Sequence, residues 1–263
     1  MKARLLINEA PGGERIPLSE LVPLSTPLVV QIFPIYACNF TCKYCTFSIP
    51  PNKREFISDS HRMSLSLFQK CIDDLTGFPD KITVLRFVGM GEPLLYKQLP
   101  EMVKYAADTQ WFDRIEIITN ASLLTNSLSD KLISANLTKL LISIQGTSAK
   151  KYKEISNIDI NIDKFIDNIT YFYEHRGGCK IHIKIADCAL EDEQDKELFF
   201  QLFGDVCDTI GIEKIGPIHP GVDYNKELVE NDQQYNQYGE NFTPADMCTQ
   251  PFYMMQINPD GNV

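Results

Sequence analysis

The sequence predicts an α/β fold, and three observations carry the prediction. Six short aliphatic and β-branched runs recur between Leu28 and Gly216. Amphipathic stretches of helical period separate them, so consecutive strands pair in parallel through right-handed crossovers. Polar and thiol-bearing residues follow several of the runs, at the carboxyl ends of strands, where such folds gather their ligands. Six units fill only part of an eight-stranded ring, so the expected object is a partial (β/α)6 TIM barrel with an open side. An open doubly wound sheet is the alternative.

Residues 1–27 mix Pro, Gly and charge, contain no apolar run of signal-peptide or membrane-span length, and read as an N-terminal extension. The barrel is expected over 28–216, with strands LVVQIF (28–33), ITVLRFV (82–88), RIEIIT (114–119), KLLISI (139–144), KIHIKIA (180–186) and IGIEKIG (210–216). Helices are expected at about Ser64–Thr76, Tyr96–Asp108, Ser127–Ala135, Asp163–His175 and Asp192–Phe203. Residues 217–246, rich in Pro, Gly, Asn, Gln and acid, read as a linker or substrate loop. Residues 247–263 read as a strand, FYMMQI, entering an NPDG turn, a short β-hairpin-like extension. The turn lacks its second strand, so the sequence reads as truncated at Val263.

With 263 residues, 44% hydrophobic and 23% charged, the chain has the composition of a soluble globular protein that buries a core without staples. The reading is a soluble, cytoplasmic protein with no membrane partner. A net charge of −10 disfavours a nucleic-acid partner and suits a cationic substrate such as a basic peptide or an aminoglycoside. Three of the eight cysteines crowd one loop while the others are scattered, which points to metal rather than to a disulfide framework.

That loop is IYACNFTCKYCTF, in which Cys38, Cys42 and Cys45 follow a C-x3-C-x2-C spacing. Soft thiolates at this density suit zinc or an iron–sulfur cluster. A structural zinc site closes with a fourth Cys or His. His61 and Cys71 are next in sequence, and Cys71 falls within a helical apolar pattern that suits a buried free thiol. Three thiolates on a 4Fe-4S cluster leave one iron open to a ligand that chelates through amino and carboxylate groups.

Placed after the first strand of a partial barrel, this spacing resembles the radical S-adenosylmethionine (SAM) superfamily, over about Leu28 to Gly216. The resemblance implies that the three cysteines hold a 4Fe-4S cluster and that SAM chelates its fourth iron. Reductive cleavage of SAM then yields a 5′-deoxyadenosyl radical that abstracts hydrogen from substrate. Tyr44 stands where family members place an aromatic against the adenine. VGMGEPLL (88–95) resembles the family's GGEP-type motif with Met90 between the glycines. Gly89 and Gly91 lack a Cβ, so the backbone can approach a ligand, and Glu92 or the adjacent backbone would receive the SAM ammonium. The third strand ends at Asn120 and Ser122, the fourth at Ser143 and Gln145. Relatives carry Ser-x-Asp-Gly at the fourth tip, with the serine on the SAM ribose; Gln145 replaces that acid, which leaves Ser143 as the ribose candidate. Lys151 and Lys153 lie where some relatives carry an arginine for the SAM carboxylate and are left unassigned.

CTQPFYMMQINPDGNV resembles the opening of the SPASM or twitch extension, which holds auxiliary 4Fe-4S clusters. Cys248 fits the first ligand position there, or a substrate-facing thiol that donates hydrogen; a free cysteine in a β-hairpin is the alternative. Cys188, after the fifth strand, is a candidate hydrogen donor to a substrate radical. Cys207 reads as core, and His219, Asp223 and Tyr224, at the mouth where they could touch substrate, read first as solvated loop residues. The resemblance implies an oxidoreductase or maturase type of enzyme. It would abstract hydrogen from a peptide or a carbohydrate or aminocyclitol substrate, leading to oxidation, epimerisation or crosslinking. Its electron donor would be a flavodoxin or ferredoxin. The alternatives are a non-catalytic zinc or iron–sulfur binding module and an RNA-modifying radical SAM enzyme, which would need a basic appended domain.

Overall fold

All six predicted strands form, and each lies parallel to its neighbours in one sheet. The structure, a computed structural model, describes residues 1–7, 9, 11, 16–224, 235–241 and 246–263. The strands are β1 (Arg4–Leu6), β2 (Val29–Ile32), β3 (Ile82–Phe87), β4 (Phe112–Thr119), β5 (Lys139–Ile144), β6 (Lys180–Ala186), β7 (Thr209–Glu213) and β8 (Met254–Ile257). Their order is β1-β7-β6-β5-β4-β3-β2-β8, so the predicted strands run consecutively from β2 to β7 and β1 and β8 form the two edges. The α/β fold with an open side is the one the strand count implied.

The helices are α1 (Leu65–Leu75), α2 (Leu99–Asp108), α3 (Asn126–Ser134), α4 (Ala149–Ser156), α5 (Ile162–His175) and α6 (Glu193–Phe203). Local chemistry sets their starts: the side chains of Ser64, Thr125, Ser148, Asn161 and Asp192 each accept a backbone N–H of the first turn. No helix among the described residues is long and apolar enough to cross a membrane.

Two elements were not legible in sequence. Strand β1 is three residues long and pairs with β7 through Arg4↔Thr209 and Leu6↔Gly211, so the N-terminal extension contributes to the sheet. Helix α4 reads AKKYKEIS, only eight residues and rich in lysine, and its apolar stripe is reduced to Tyr152 and Ile155. Left-handed Asn157 (φ 54°) ends it. The predicted C-terminal strand forms as β8 and joins the main sheet parallel to β2, from Met254↔Val29 to Ile257↔Ile32. The Asn258–Gly261 turn follows it, closed by Gly261 N–H to Asn258 O at 2.9 Å. Of the expected linker, 225–234 and 242–245 lie outside the described residues.

The pleat divides the sheet into two unlike faces. One is aliphatic: Val30, Ile32, Leu85, Phe87, Ile117 and Ile183 are fully buried and pack with the helices' Phe68, Phe172 and Phe199 into one core. Each such side chain contributes on the order of 2 kcal/mol of burial. The other face is polar. Register aligns Gln31, Arg86 and Glu116, then Lys139, and further along Ser143 with Lys184. A sheet whose outer face alone suffices for the core leaves its inner face free to carry charge.

Candidate active site

The cysteine loop leaves the sheet at the carboxyl end of β2. Backbone bonds hold its entrance, from Tyr36 N–H to His61 O (2.8 Å) and from Met63 N–H to Pro34 O (3.0 Å). The Tyr36 hydroxyl donates to buried Asn258 Oδ1 at 2.8 Å, so the turn after β8 braces the same entrance. Within the loop, Cys45 N–H reaches Cys42 O at 3.0 Å, and Phe40 N–H reaches Cys38 Sγ at 3.4 Å. The end of α4 anchors the middle: Thr41 N–H donates to Ser156 O (3.1 Å) and Lys43 N–H to Ile155 O (2.9 Å).

Cys38, Cys42 and Cys45 are half-buried free thiols. Burial pushes Cys38 and Cys42 up to about 12 and raises Cys45, while hydrogen bonds pull in the opposite direction. The thiols also feel one another: Cys45 raises both others, and Cys38 raises Cys42. Such thiols shed their protons to a metal rather than to water. Among the described residues no three Cys, His, Asp or Glu side chains converge on a single-ion position, which a closed zinc site with bonds of about 2.3 Å requires. His61 packs edge-on to Phe56 and Cys71 lies against the core on α1. Three thiols on one loop, with no fourth protein ligand beside them among the described residues, fit a 4Fe-4S cluster.

The glycine motif at the end of β3 lies directly against this loop. A Cβ on Gly89, whose φ is +122°, would stand 2.3 Å from Phe33 Cγ, and one on Gly91 would stand 2.2 Å from Ile35 O. The two glycines therefore admit the exit of β2 itself. Glu92 N–H donates to Ala37 O at 2.8 Å, directly before Cys38. The Glu92 carboxylate, 2% exposed, accepts Leu94 N–H (2.9 Å) and the Thr119 hydroxyl (2.6 Å) on Oε1 and Asn120 N–H (2.7 Å) on Oε2. Burial raises its pKa to about 7 against the pull of those three donors. The carboxylate thus ties the tips of β3 and β4 together.

At the tip of β4, Ala121 holds a left-handed φ of 56°, uncommon for a residue with a Cβ. The bend brings Asn120, Ser122 and Asn39 into a closed set. Asn120 Nδ2 donates to Asn39 Oδ1 (3.0 Å), Asn39 Nδ2 to Ser122 Oγ (2.8 Å), and Ser122 Oγ to Asn120 Oδ1 (2.8 Å). Asn39 was missed in sequence, its only signal being an amide between two cysteines of the loop.

Tyr44 donates its hydroxyl to Gln145 Oε1, and Gln145 Nε2 donates to Ser143 O at 3.3 Å. Gln145, set aside in sequence because it replaces an acid, is the residue that orients Tyr44. Ser143 is half-buried on the polar face beside Lys184. Lys151 Nζ is engaged by Glu154 (3.2 Å) and Glu191, and Lys153 Nζ by Asp159 (2.9 Å).

The segment after β7 folds over the loop, since the Tyr224 hydroxyl donates to Tyr44 O (3.0 Å) and accepts His219 N–H (3.1 Å). Cys188 is half-buried, with burial first and Asp187 second pushing its thiol up to about 12. It lines a cleft of about 540 Å³ with Lys43, Glu154, Gly221 and Asp223. The Tyr44 phenol is pushed well up by burial first, then by Cys42 and Cys188. Cys207 is core, donating to Phe203 O at 3.3 Å. Cys248 is exposed.

A parallel α/β sheet carrying a three-thiol loop after its second strand, braced by a Gly-x-Gly-Glu-Pro turn, defines a class of cluster-dependent enzyme. The Radical SAM superfamily signature matches residues 32–185, more than half of the chain, and the chain belongs to that superfamily. Its cofactors are the superfamily's 4Fe-4S cluster and SAM. The chain is 32% identical over 130 residues to GTP 3′,8-cyclase of Chlorobaculum tepidum, which covers 49% of this chain and 36% of that protein. It is 30% identical over 161 residues to GTP 3′,8-cyclase of Campylobacter jejuni, covering 61% of this chain and 47% of that one. The chain thus spans less than half the length of these two relatives. Streptococcus suis SuiB, solved with its precursor peptide SuiA, has the same fold at a TM-score of 0.62 and 18% identity, over 80% of this chain and 44% of SuiB.

Proposed function

We propose that this radical SAM enzyme abstracts a hydrogen atom from a small-molecule or peptide substrate held against the polar inner face of the sheet. The observation that carries the reading is that one loop bears three partly buried thiols, with no fourth ligand beside them among the described residues, and is tied by hydrogen bonds to the tips of β3 and β4 and to the end of α4. When bound, the cluster and SAM supply reductive cleavage to a 5′-deoxyadenosyl radical. The protein supplies binding, orientation and exclusion of water. Cys38, Cys42 and Cys45 bind the cluster. Tyr44, fixed by Gln145, offers its ring to the adenine, and Ser143 its hydroxyl to the ribose. Peptide groups from Gly89 to Gly91, with Asn120 and Ser122, offer polar contacts to the amino acid end of SAM. Glu92 acts chiefly as a brace, because three protein donors occupy most of its roughly four acceptor positions. Cys188 is the candidate for returning hydrogen to a substrate radical, Cys248 for ligating an auxiliary cluster, and a flavodoxin or ferredoxin for delivering the electron. Oxidation, epimerisation and crosslinking all begin with this abstraction.

The inner face favours an anion-bearing substrate over the cationic one that net charge suggested. Among the described strand residues, Arg86, Arg114, Lys139 and Lys184 share it with the acids Glu116 and Glu213; Arg86 and Arg114 both reach Glu116 (2.8 and 3.3 Å), Lys184 reaches Glu213 (2.6 Å), and Lys139 donates to Pro11 O (2.6 Å). His182, on the same face, is held neutral, its pKa pushed down to about 3 by burial first and then by Lys184 and Lys139. A surplus of cations inside an otherwise acidic chain suits a nucleotide, in keeping with the name of the cyclase relatives.

The test is an anaerobic assay of the reconstituted protein with SAM, dithionite and, in separate arms, GTP, a basic peptide and an aminocyclitol. The expected result is 5′-deoxyadenosine formation that one substrate accelerates at least about tenfold, with deuterium passing from labelled substrate into the 5′-methyl group. Acceleration by GTP but not by the cationic compounds supports the anionic reading, and the reverse pattern removes it.

A further inference from the structure

We infer that the Ser156 hydroxyl is a hydrogen-bond donor to the cluster sulfur of Cys42 and raises the reduction potential of the centre that the three cysteines hold. The inference rests on the proposed binding of a 4Fe-4S cluster by Cys38, Cys42 and Cys45 and goes beyond it to a residue that no sequence motif contains.

Ser156 is the last residue of α4 and is fully buried. Its Oγ lies 3.2 Å from Cys42 Sγ. The contact is fixed from both sides of Cys42. Thr41 gives its N–H and its hydroxyl to Ser156 O (3.1 and 3.4 Å), and Lys43 gives its N–H to Ile155 O (2.9 Å). These carbonyls belong to the last turn of α4, where a helix has acceptors without intrahelical partners. The cysteine loop supplies those partners, so helix end and ligand sulfur are locked in register. The backbones that carry the two side chains are thereby held at a fixed separation.

The direction of the bond follows from valence. As a free thiol, Cys42 carries the proton and Ser156 Oγ accepts it. A metal-bound sulfur has no proton and can only accept, so the hydrogen in a 3.2 Å contact must then come from Ser156. A donor aimed at a ligand sulfur stabilises added negative charge, and hydrogen bonds to the sulfurs are one of the means by which a protein sets the potential of such a centre. Ser156 keeps its proton throughout. One electron enters from an external reductant of the flavodoxin or ferredoxin class, or from dithionite in the assay, and no bond is made or broken in this step.

Two matched pairs isolate the hydroxyl: wild type against Ser156→Ala, and Ser156→Thr against Ser156→Val, which is close to threonine in shape but has no hydroxyl. Each full-length protein is reconstituted anaerobically, assayed for iron and sulfide, and titrated potentiometrically with EPR detection of the reduced centre. The expected result is equal cluster loading and, in the variants without a hydroxyl, a reduction equilibrium roughly tenfold less favourable, which is about 59 mV lower for a one-electron couple. Cluster loading that fails in Ser156→Ala and Ser156→Val but survives in wild type and Ser156→Thr also supports the donor role. Equal loading and equal potentials within both pairs would overturn it while leaving the cluster reading intact. A wild-type protein that takes up iron and sulfide at no more than trace levels would overturn the cluster reading itself. If the larger side chains prevent folding, the wild-type and alanine pair decides.

Discussion

The triple variant C38A/C42A/C45A is expected to fold and to take up no cluster, with iron and sulfide content falling to background and SAM cleavage lost with it. The loop owes its shape to backbone bonds: Cys45 N–H to Cys42 O, Thr41 N–H to Ser156 O and Lys43 N–H to Ile155 O all survive the loss of the thiols. Phe40, packed edge-on to Tyr152, and Phe47 keep the loop in the core. The three thiols are only half-buried, so their removal should cost stability on the order of 1 kcal/mol each or less. Each single variant should lose the cluster as well, since no spare ligand stands by among the described residues. Iron analysis beside circular dichroism separates loss of the centre from loss of the fold. A triple variant that retains stoichiometric iron and sulfide would place the cluster elsewhere.

The second large effect is expected of Gly91→Ala. Its Cβ would lie 2.2 Å from Ile35 O and 2.8 Å from Ala37 O, and both obstacles are backbone. No side-chain rotation relieves the clash, so the exit of β2 must move by about 1 Å, carrying Cys38 with it and straining the Glu92 N–H to Ala37 O bond. Overpacking of this kind costs roughly 1–3 kcal/mol. The functional loss should be larger than the loss of stability, because a ligand loop displaced by about 1 Å no longer presents its thiols as a set. Gly177→Ala serves as control: its φ of +56° makes it strained, but its Cβ would meet nothing within 4 Å. The expected pattern is a cluster content below one fifth of wild type for Gly91→Ala and full loading for Gly177→Ala, read by iron analysis after reconstitution. Equal loading of the two would remove the close approach of β3 to the cysteine loop from the account.

What was legible in the sequence is what depends on short-range pattern. The aliphatic runs that became β2 to β7 are buried on one face, and their spacing by amphipathic helices settles parallel pairing without reference to distant residues. The C-x3-C-x2-C spacing and GMGEP were readable for the same reason. The bracing was not. Asn39, Gln145 and Ser156 are ordinary polar residues in sequence. Their roles come from partners 81, 101 and 114 positions away: Asn120, Tyr44 and Cys42. Helix α4 was missed because its polar composition hides a stripe of two residues, although that helix carries the end against which the cysteine loop is built. Net charge and the charge of the inner face point in opposite directions. The total of −10 is a sum over the whole chain, whereas strand alternation places Arg86, Arg114, Lys139 and Lys184 on the inner face.

If Cys38, Cys42 and Cys45 hold a cluster with one iron left for SAM, EPR of the dithionite-reduced, anaerobically reconstituted protein must respond to SAM. The expected result is a 4Fe-4S signal whose g values change on addition of SAM in wild type and that is absent from C38A/C42A/C45A. A cluster signal that SAM leaves unchanged at saturating concentration would contradict it.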